Sequence, residues 1–288
     1  MTSRPANPWL TRRVVAYAHQ GGAWEGPSST LHAIDAAIAC GATAVELDVH
    51  ATLDRHLVVC HDETVDRTTN ATGQICERTL DELRHLDNAY WWAPGADVSP
   101  GLDEGAYPLR GRAPEDPMLG IATLAEVLER YPGVLVNLDI KRTAPDVESY
   151  EELLAEELRR YGRRDDTIVA SFSDVAIGRF RAAAPEVPTS LATLETAEFY
   201  RAVHDGSAVG ATAGIALQVP ARFGEIVVVD QRFVTRAHDE GLAVHVWTIN
   251  DAEQMRRLLE VGVDGIISDT PSVLVDVLRE AGCAWEKS

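Results

Sequence analysis

Glu46 and Asp48 stand at i and i+2 inside VELDVH (45–50), and His61 and Asp62 close the apolar run HLVVCH that follows. Asp139 and Lys141 repeat the spacing in VNLDIK (136–141), while His19 follows the run VVAYA. Side chains two apart on a strand point to one side of it. Three carboxylates converging from such strands raise one another's pKa values unless a cation sits among them. A hard divalent ion resolves this, since calcium accepts about 6–8 oxygens and magnesium about six, with positions left for water or phosphate. Two histidines at neighbouring strand ends could then act as acid and base. The plainer alternatives are a solvated strand face for the Glu-x-Asp pair and a structural hydrogen-bonding role for each histidine. Recurrence at the ends of separate apolar strands is what favours chemistry.

Those strands belong to a regular order. Nine stretches read as strands: 14–18, 44–50, 56–61, 133–141, 167–172, 188–193, 214–220, 243–248 and 265–269. Helical stretches such as EELLAEELRR, VTRAHDEGL, AEQMRRLLEVG and PSVLVDVLREAG alternate with them. Strand–helix alternation of this kind predicts parallel βαβ units and a (β/α)8 barrel, with one of the nine strands outside it. In such a barrel the strand C-terminal ends form the active face. A doubly wound open sheet is the alternative, but no GxGxxG follows the first strand. Pro27-Ser28-Ser29-Thr30 supplies N-cap chemistry for a first helix that Gly41 ends. Residues 66–118 break the rhythm with Gly, Pro and aromatic residues, and read as a lobe inserted in a single 1–288 domain. In it, Tyr90, Trp91 and Trp92 either pack the lobe on the barrel or line a substrate mouth.

Charge narrows the partners. With 26 basic and 45 acidic residues the net charge is −19, which repels nucleic acid and anionic membrane. An anionic small substrate is still admissible, because one metal ion inverts the field of a cleft. Four scattered cysteines without CxxC spacing read as reduced thiols. No leader-like or span-length apolar run is present, so a cytoplasmic protein without stable membrane insertion is expected. The oligomeric state is left open.

The stretches AHQGG (18–22), 27–54, LVVCHDETVDRTTNATG (57–73), VNLDIK, HVWTIN (245–250) and GVDGIISDTPS (262–272) resemble the glycerophosphodiester phosphodiesterase family. The resemblance spans nearly the whole chain. It implies a TIM barrel with a small inserted subdomain that hydrolyses glycerophosphodiesters to sn-glycerol 3-phosphate and an alcohol, using calcium or magnesium. By the same resemblance His19 and His61 are the acid/base pair, and Glu46, Asp48 and Asp139 the metal ligands. Lys141 and the position of Gln20 would meet the phosphate, and Trp247 would pack on the substrate. Three positions depart from the family pattern. His19-Gln20-Gly21 stands for His-Arg-Gly, and Pro27-Ser28-Ser29-Thr30 for Pro-Glu-Asn-Thr. The third metal ligand is Asp139 where Glu is usual. Each change trims charge or reach.

Two other functions remain in view. One is a lysophospholipase D or sphingomyelinase-D-like phosphodiesterase, with Tyr90, Trp91 and Trp92 around an acyl chain. The other is a non-catalytic phosphodiester-binding barrel in which Gln20 and Ser28 mark a decayed site.

Overall fold

The computed structural model describes residues 7–96, 98–113 and 115–285. Its first half runs β1 Val15–His19, α1 Leu31–Cys40, β2 Ala44–Ala51, β3 Leu57–Val59, α2 Leu80–Arg84, α3 Leu124–Arg130, β4 Leu135–Ile140 and α4 Glu151–Arg160. There follow β5 Thr167–Ala170, α5 Asp174–Ala183, α6 Thr193–Asp205, β6 Ala216–Pro220, β7 Arg222–Phe223 and β8 Ile226–Val227. The chain ends with α7 Gln231–Asp239, β9 Ala243–Trp247, α8 Ala252–Val261, β10 Gly265–Ser268 and α9 Pro271–Glu280.

Seven strands pair side by side in the order β5-β4-β2-β1-β10-β9-β6, all in parallel. Thr189 bridges Val169 of β5 and Ser190 bridges Ala216 of β6, which joins the two ends into a barrel. The strand expected at 188–193 is therefore a two-residue link, because Ala192 already serves as the N-cap of α6. Of the expected strands the one outside the barrel is β3, paired antiparallel to the end of β2 through Val49–Val59 and Ala51–Leu57, and β7 and β8 form a separate two-stranded sheet.

Both β2 and β4 are buried along their whole length, covered by helices outside and side chains inside. This is why they read as apolar runs broken only by Glu46, Asp48, His50, Asn137 and Asp139. Local chemistry sets the helix ends. The Thr30 hydroxyl accepts from the Ala33 N–H at 3.2 Å, and Gly41 closes α1 at φ 113°. Full capping boxes open α2 (Thr79 with Glu82) and α3 (Thr123 with Glu126).

The helices pack around the strands as two apolar halves, one centred on β2 and β4 and one on β6, β9 and β10. Inside the barrel, Val15, Tyr17, Ala44, Leu135, Ala216 and Ala243 form a layer at the strand starts. Trp9, from the turn Pro8–Leu10 before β1, fills the floor beneath it and is fully buried. His245 lies edge-on to Trp9 at 5.8 Å and tilted on Tyr17 at 5.2 Å. Burial pulls its pKa down to about 3, so the ring stays neutral.

Residues 66–118 carry α2 and pack into small clusters shared with their flanks, Ile75 and Leu83 with Val58, Cys60 and Ile121, and Ala89 with Leu119. The Arg110 guanidinium lies 4.4 Å from the Tyr90 ring, 4.7 Å from Trp91 and 3.7 Å from Tyr107. The Trp92 indole N–H donates to the Ala23 carbonyl at 3.0 Å, tying this segment to the turn after β1. These aromatics hold the segment together and onto the barrel. Among the described residues, no helix is long and apolar enough to cross a membrane.

Trp9→Ala empties the floor and is expected to cost about 3–5 kcal/mol of stability, the usual range for a truncated core aromatic. Urea unfolding measures it, and a loss no larger than that of a surface substitution would refute the sealing role.

Candidate active site

The register sets the site. His19 of β1 pairs with Glu46 of β2, Glu46 with Asn137 of β4, and Asp48 with Asp139. Alternation along each strand then turns Glu46, Asp48, Asn137 and Asp139 to one side, at the C-terminal end of the barrel. There they line a cavity of about 660 Å³ together with His19, His61, Lys141 and Trp247. Seven of the eight residues singled out from the sequence thus share one wall.

Gln20, the eighth, stands behind it. Its side chain is 2% exposed, with Oε1 accepting from Ser28 Oγ at 2.5 Å and Nε2 lying 3.3 Å from His19 Nε2. Gln20 has φ 51°, and Gly21 and Gly22 follow at 82° and 96°. A Cβ on Gly22 would come within 2.8 Å of Pro271, so this turn needs glycine for both conformation and space.

Like charges crowd at the centre. Lys141 Nζ sits 2.7 Å from Asp48 Oδ1 and 2.7 Å from Asp139 Oδ2. Burial disfavours its charge, but Asp139, Asp48 and Glu46 outweigh that and raise its pKa. Burial and the neighbouring Asp48 push the Glu46 carboxyl up to about 7, and burial also raises Asp139.

Each histidine is anchored by a carboxylate. His19 Nδ1 lies 2.5 Å from Asp269 Oδ1, and its Nε2 is 3.7 Å from Glu46 Oε2. Burial lowers its pKa, but the Asp269 hydrogen bond and the charges of Glu46, Asp269 and Asp48 prevail, lifting it to about 9. Asp269 is in turn fixed by Asn250, whose Nδ2 donates to it at 2.7 Å and whose Oδ1 accepts its backbone N–H at 2.8 Å. His61 Nδ1 lies 2.5 Å from Asp62 Oδ1, and Arg67 Nε donates to Asp62 Oδ2 at 2.7 Å. Burial would raise Asp62, yet His61 and Arg67 pull it down to about 2, so it stays ionised. A carboxylate on Nδ1 orients each ring and leaves Nε2 for proton exchange.

The sequence reading gave no role to Asp269 or Arg67. Asp269 ends GIISD, and a carboxylate closing the last strand was the available signal. Arg67 lies in the stretch 57–73 that carries the family resemblance, but its role shows only where its guanidinium meets Asp62.

Among the described residues, no three His, Cys, Asp or Glu side chains stand ready-formed as a metal site, and Asp48 and Asp139 close on Lys141 instead. The donor chemistry nevertheless suits a hard divalent cation. All three carboxylates are buried, and Asp48 Oδ2 and Asp139 Oδ1 have no hydrogen-bond partner.

The family model for the glycerophosphoryl diester phosphodiesterases matches residues 19–273, which include every residue of the candidate site. The chain belongs to this family. It is 30% identical over 272 residues to the glycerophosphodiester phosphodiesterase of Caldanaerobacter subterraneus, covering 94% of this chain and 100% of that one. To the Bacillus subtilis glycerophosphodiester phosphodiesterase it is 28% identical over 274 residues, covering 93% and 87%. Its barrel superposes on an Oleispira antarctica phosphodiesterase, solved with the product sn-glycerol-3-phosphate, with TM-score 0.71 at 23% identity, over 94% and 99% of the two chains.

Gln20 and Ser28, two of the positions that depart from the family pattern, therefore touch each other, and a neutral pair stands where the pattern has Arg and Glu. Gln20→Arg alone buries a cation, and Ser28→Glu alone buries a carboxylate, each at a site built for a neutral group. The double variant is expected to lose less than the sum, by about 0.5–3 kcal/mol of coupling in denaturant unfolding. Additive losses would break the link between the two positions.

Proposed function

We propose that the protein is a metal-dependent hydrolase of glycerophosphodiesters, releasing sn-glycerol 3-phosphate and an alcohol. The observation that carries the reading is the pair of carboxylate-anchored histidines facing three buried carboxylates and a lysine across one cavity. Family membership, and the printed activity of the Caldanaerobacter relative, support the substrate class.

In this scheme Lys141 and protonated His19 draw the anionic phosphodiester to the floor. One histidine accepts a proton from the attacking hydroxyl, of water or of the substrate's own glycerol. The other donates a proton to the departing alkoxide oxygen. The bond from phosphorus to the leaving oxygen breaks as the bond to the attacking oxygen forms. Where the glycerol hydroxyl attacks, the cyclic phosphate so formed is then opened by water with the two histidines in exchanged roles, which restores their protons. Where water attacks directly, the rings recover theirs by exchange with solvent. Asp269 and Asp62 hold the rings in orientation through the exchange. Glu46, Asp48 and Asp139 would hold calcium or magnesium, which when bound supplies charge that neutralises a non-bridging phosphate oxygen. Gln20 would assist from behind, by holding His19 rather than by gripping phosphate. The four unpaired cysteines suit a cytoplasmic enzyme.

With glycerophosphocholine and calcium or magnesium, His19→Ala and His61→Ala are each expected to lower kcat by about a hundred- to ten-thousand-fold, the span of general acid–base catalysis. Turnover near wild type in both variants would overturn the acid/base assignment. Removing divalent ions with a chelator should abolish turnover and re-addition restore it. Calorimetric titration should show the ion binding to wild type and lost in Asp48→Asn/Asp139→Asn. Full activity in chelator, with no ion bound, would remove the metal from the reading.

A further inference from the structure

The cavity is divided by chemistry. Every charged residue of its wall, His19, Glu46, Asp48, His61, Asp139 and Lys141, belongs to the floor. Beyond Phe172 and Trp247, which meet edge to face at 5.8 Å, the wall is largely apolar, with Leu191, Val219, Phe223, Ile226 and Val228, and its polar groups there are uncharged, Thr193, Thr196 and Tyr200 among them. Glycerol 3-phosphate, with about ten heavy atoms, fills only a small part of a space fit for a drug-sized ligand.

The outer end of this arm is a two-stranded hairpin, β7 with β8, which the sequence reading did not resolve from the strand before it. It holds Phe223 at 72% and Ile226 at 49% exposure, and Phe172 beside the floor is 65% exposed. Packing of the fold does not account for three large apolar side chains left in water around one opening, whereas a bound apolar group does. On the other side of His61, Lys141 and Phe172 lies a second recess, of about 480 Å³, with His50, Glu63, Arg142 and Ser173 in its wall. A phosphate at Lys141 and His61 therefore has a polar recess on one side and an apolar arm on the other.

We propose that the arm binds one long acyl chain carried by the phosphodiester, so that monoacylated phosphodiesters are preferred over wholly water-soluble ones. This rests on the phosphodiesterase reading above and adds the substrate class. It also moves the chain's binding place from Tyr90, Trp91 and Trp92, which pack on Arg110 and Ala23 and take no part in the cavity wall. Each methylene taken from water into such a wall strengthens binding about fourfold. The chain can be esterified to the glycerol or attached to the leaving alcohol; both present the same apolar tail.

The test compares kcat/KM for palmitoyl-lysophosphatidylcholine, glycerophospho-N-palmitoylethanolamine and glycerophosphocholine, below micellar concentrations and with calcium or magnesium, in wild type and Phe223→Ser/Ile226→Ser. At least one acylated diester should exceed glycerophosphocholine by about tenfold or more, and the double variant should cut that preference about tenfold through KM, as expected for losing a few buried methylene equivalents. Which acylated diester is favoured tells on which side of the phosphate the chain sits. Hydrolysis of glycerophosphocholine with no preference for either acylated diester overturns the proposal and leaves the phosphodiesterase reading standing. If no diester is hydrolysed, that reading fails, and calorimetry with lysophosphatidylcholine decides the arm. Binding weakened by the double variant upholds it, and absence of binding overturns it. Both substituted residues are largely exposed, and a thermal melt confirms that the fold is kept.

Discussion

The parallel register of β2 and β4 sets Asp48 opposite Asp139, and the rest of the site is an answer to their repulsion. Neither strand can turn a carboxylate outward without breaking a wall of buried Val, Leu and Ile. The conflict is met instead by charge. Lys141 bridges the two aspartates, the surrounding carboxylates lift the pKa of His19, and burial with Asp48 pushes the Glu46 carboxyl up to about 7. Two carboxylate oxygens, Asp48 Oδ2 and Asp139 Oδ1, remain without a hydrogen-bond partner.

Much of this was legible in the chain. Period-two alternation inside apolar runs gave the facing of Glu46, Asp48 and Asp139, and strand–helix alternation gave the barrel, down to one supernumerary strand. Those signals are local, so they survive without coordinates. The anchors Asp269 and Arg67 were not assigned because their meaning is a distance between elements far apart in sequence. The strand expected at 188–193 shrank to a link because an adjoining helix start claims the same residues, a competition that composition does not register.

The aromatic run Tyr90-Trp91-Trp92 and the hairpin residues Phe223 and Ile226 make an instructive contrast. The former is the more conspicuous in sequence, yet Arg110 and Ala23 satisfy it internally. The latter is two short dipeptides around a Gly-Glu turn, and they stand in water at the cavity's edge. Aromatic content marks buried area wherever it occurs, and only the partner decides whether that area serves folding or recognition.

Trp9 has a consequence for traffic. By corking the barrel where the strands begin, it leaves a blind well in place of a tunnel. Whatever reaches the charged groups must therefore enter and leave at the face where the strands end.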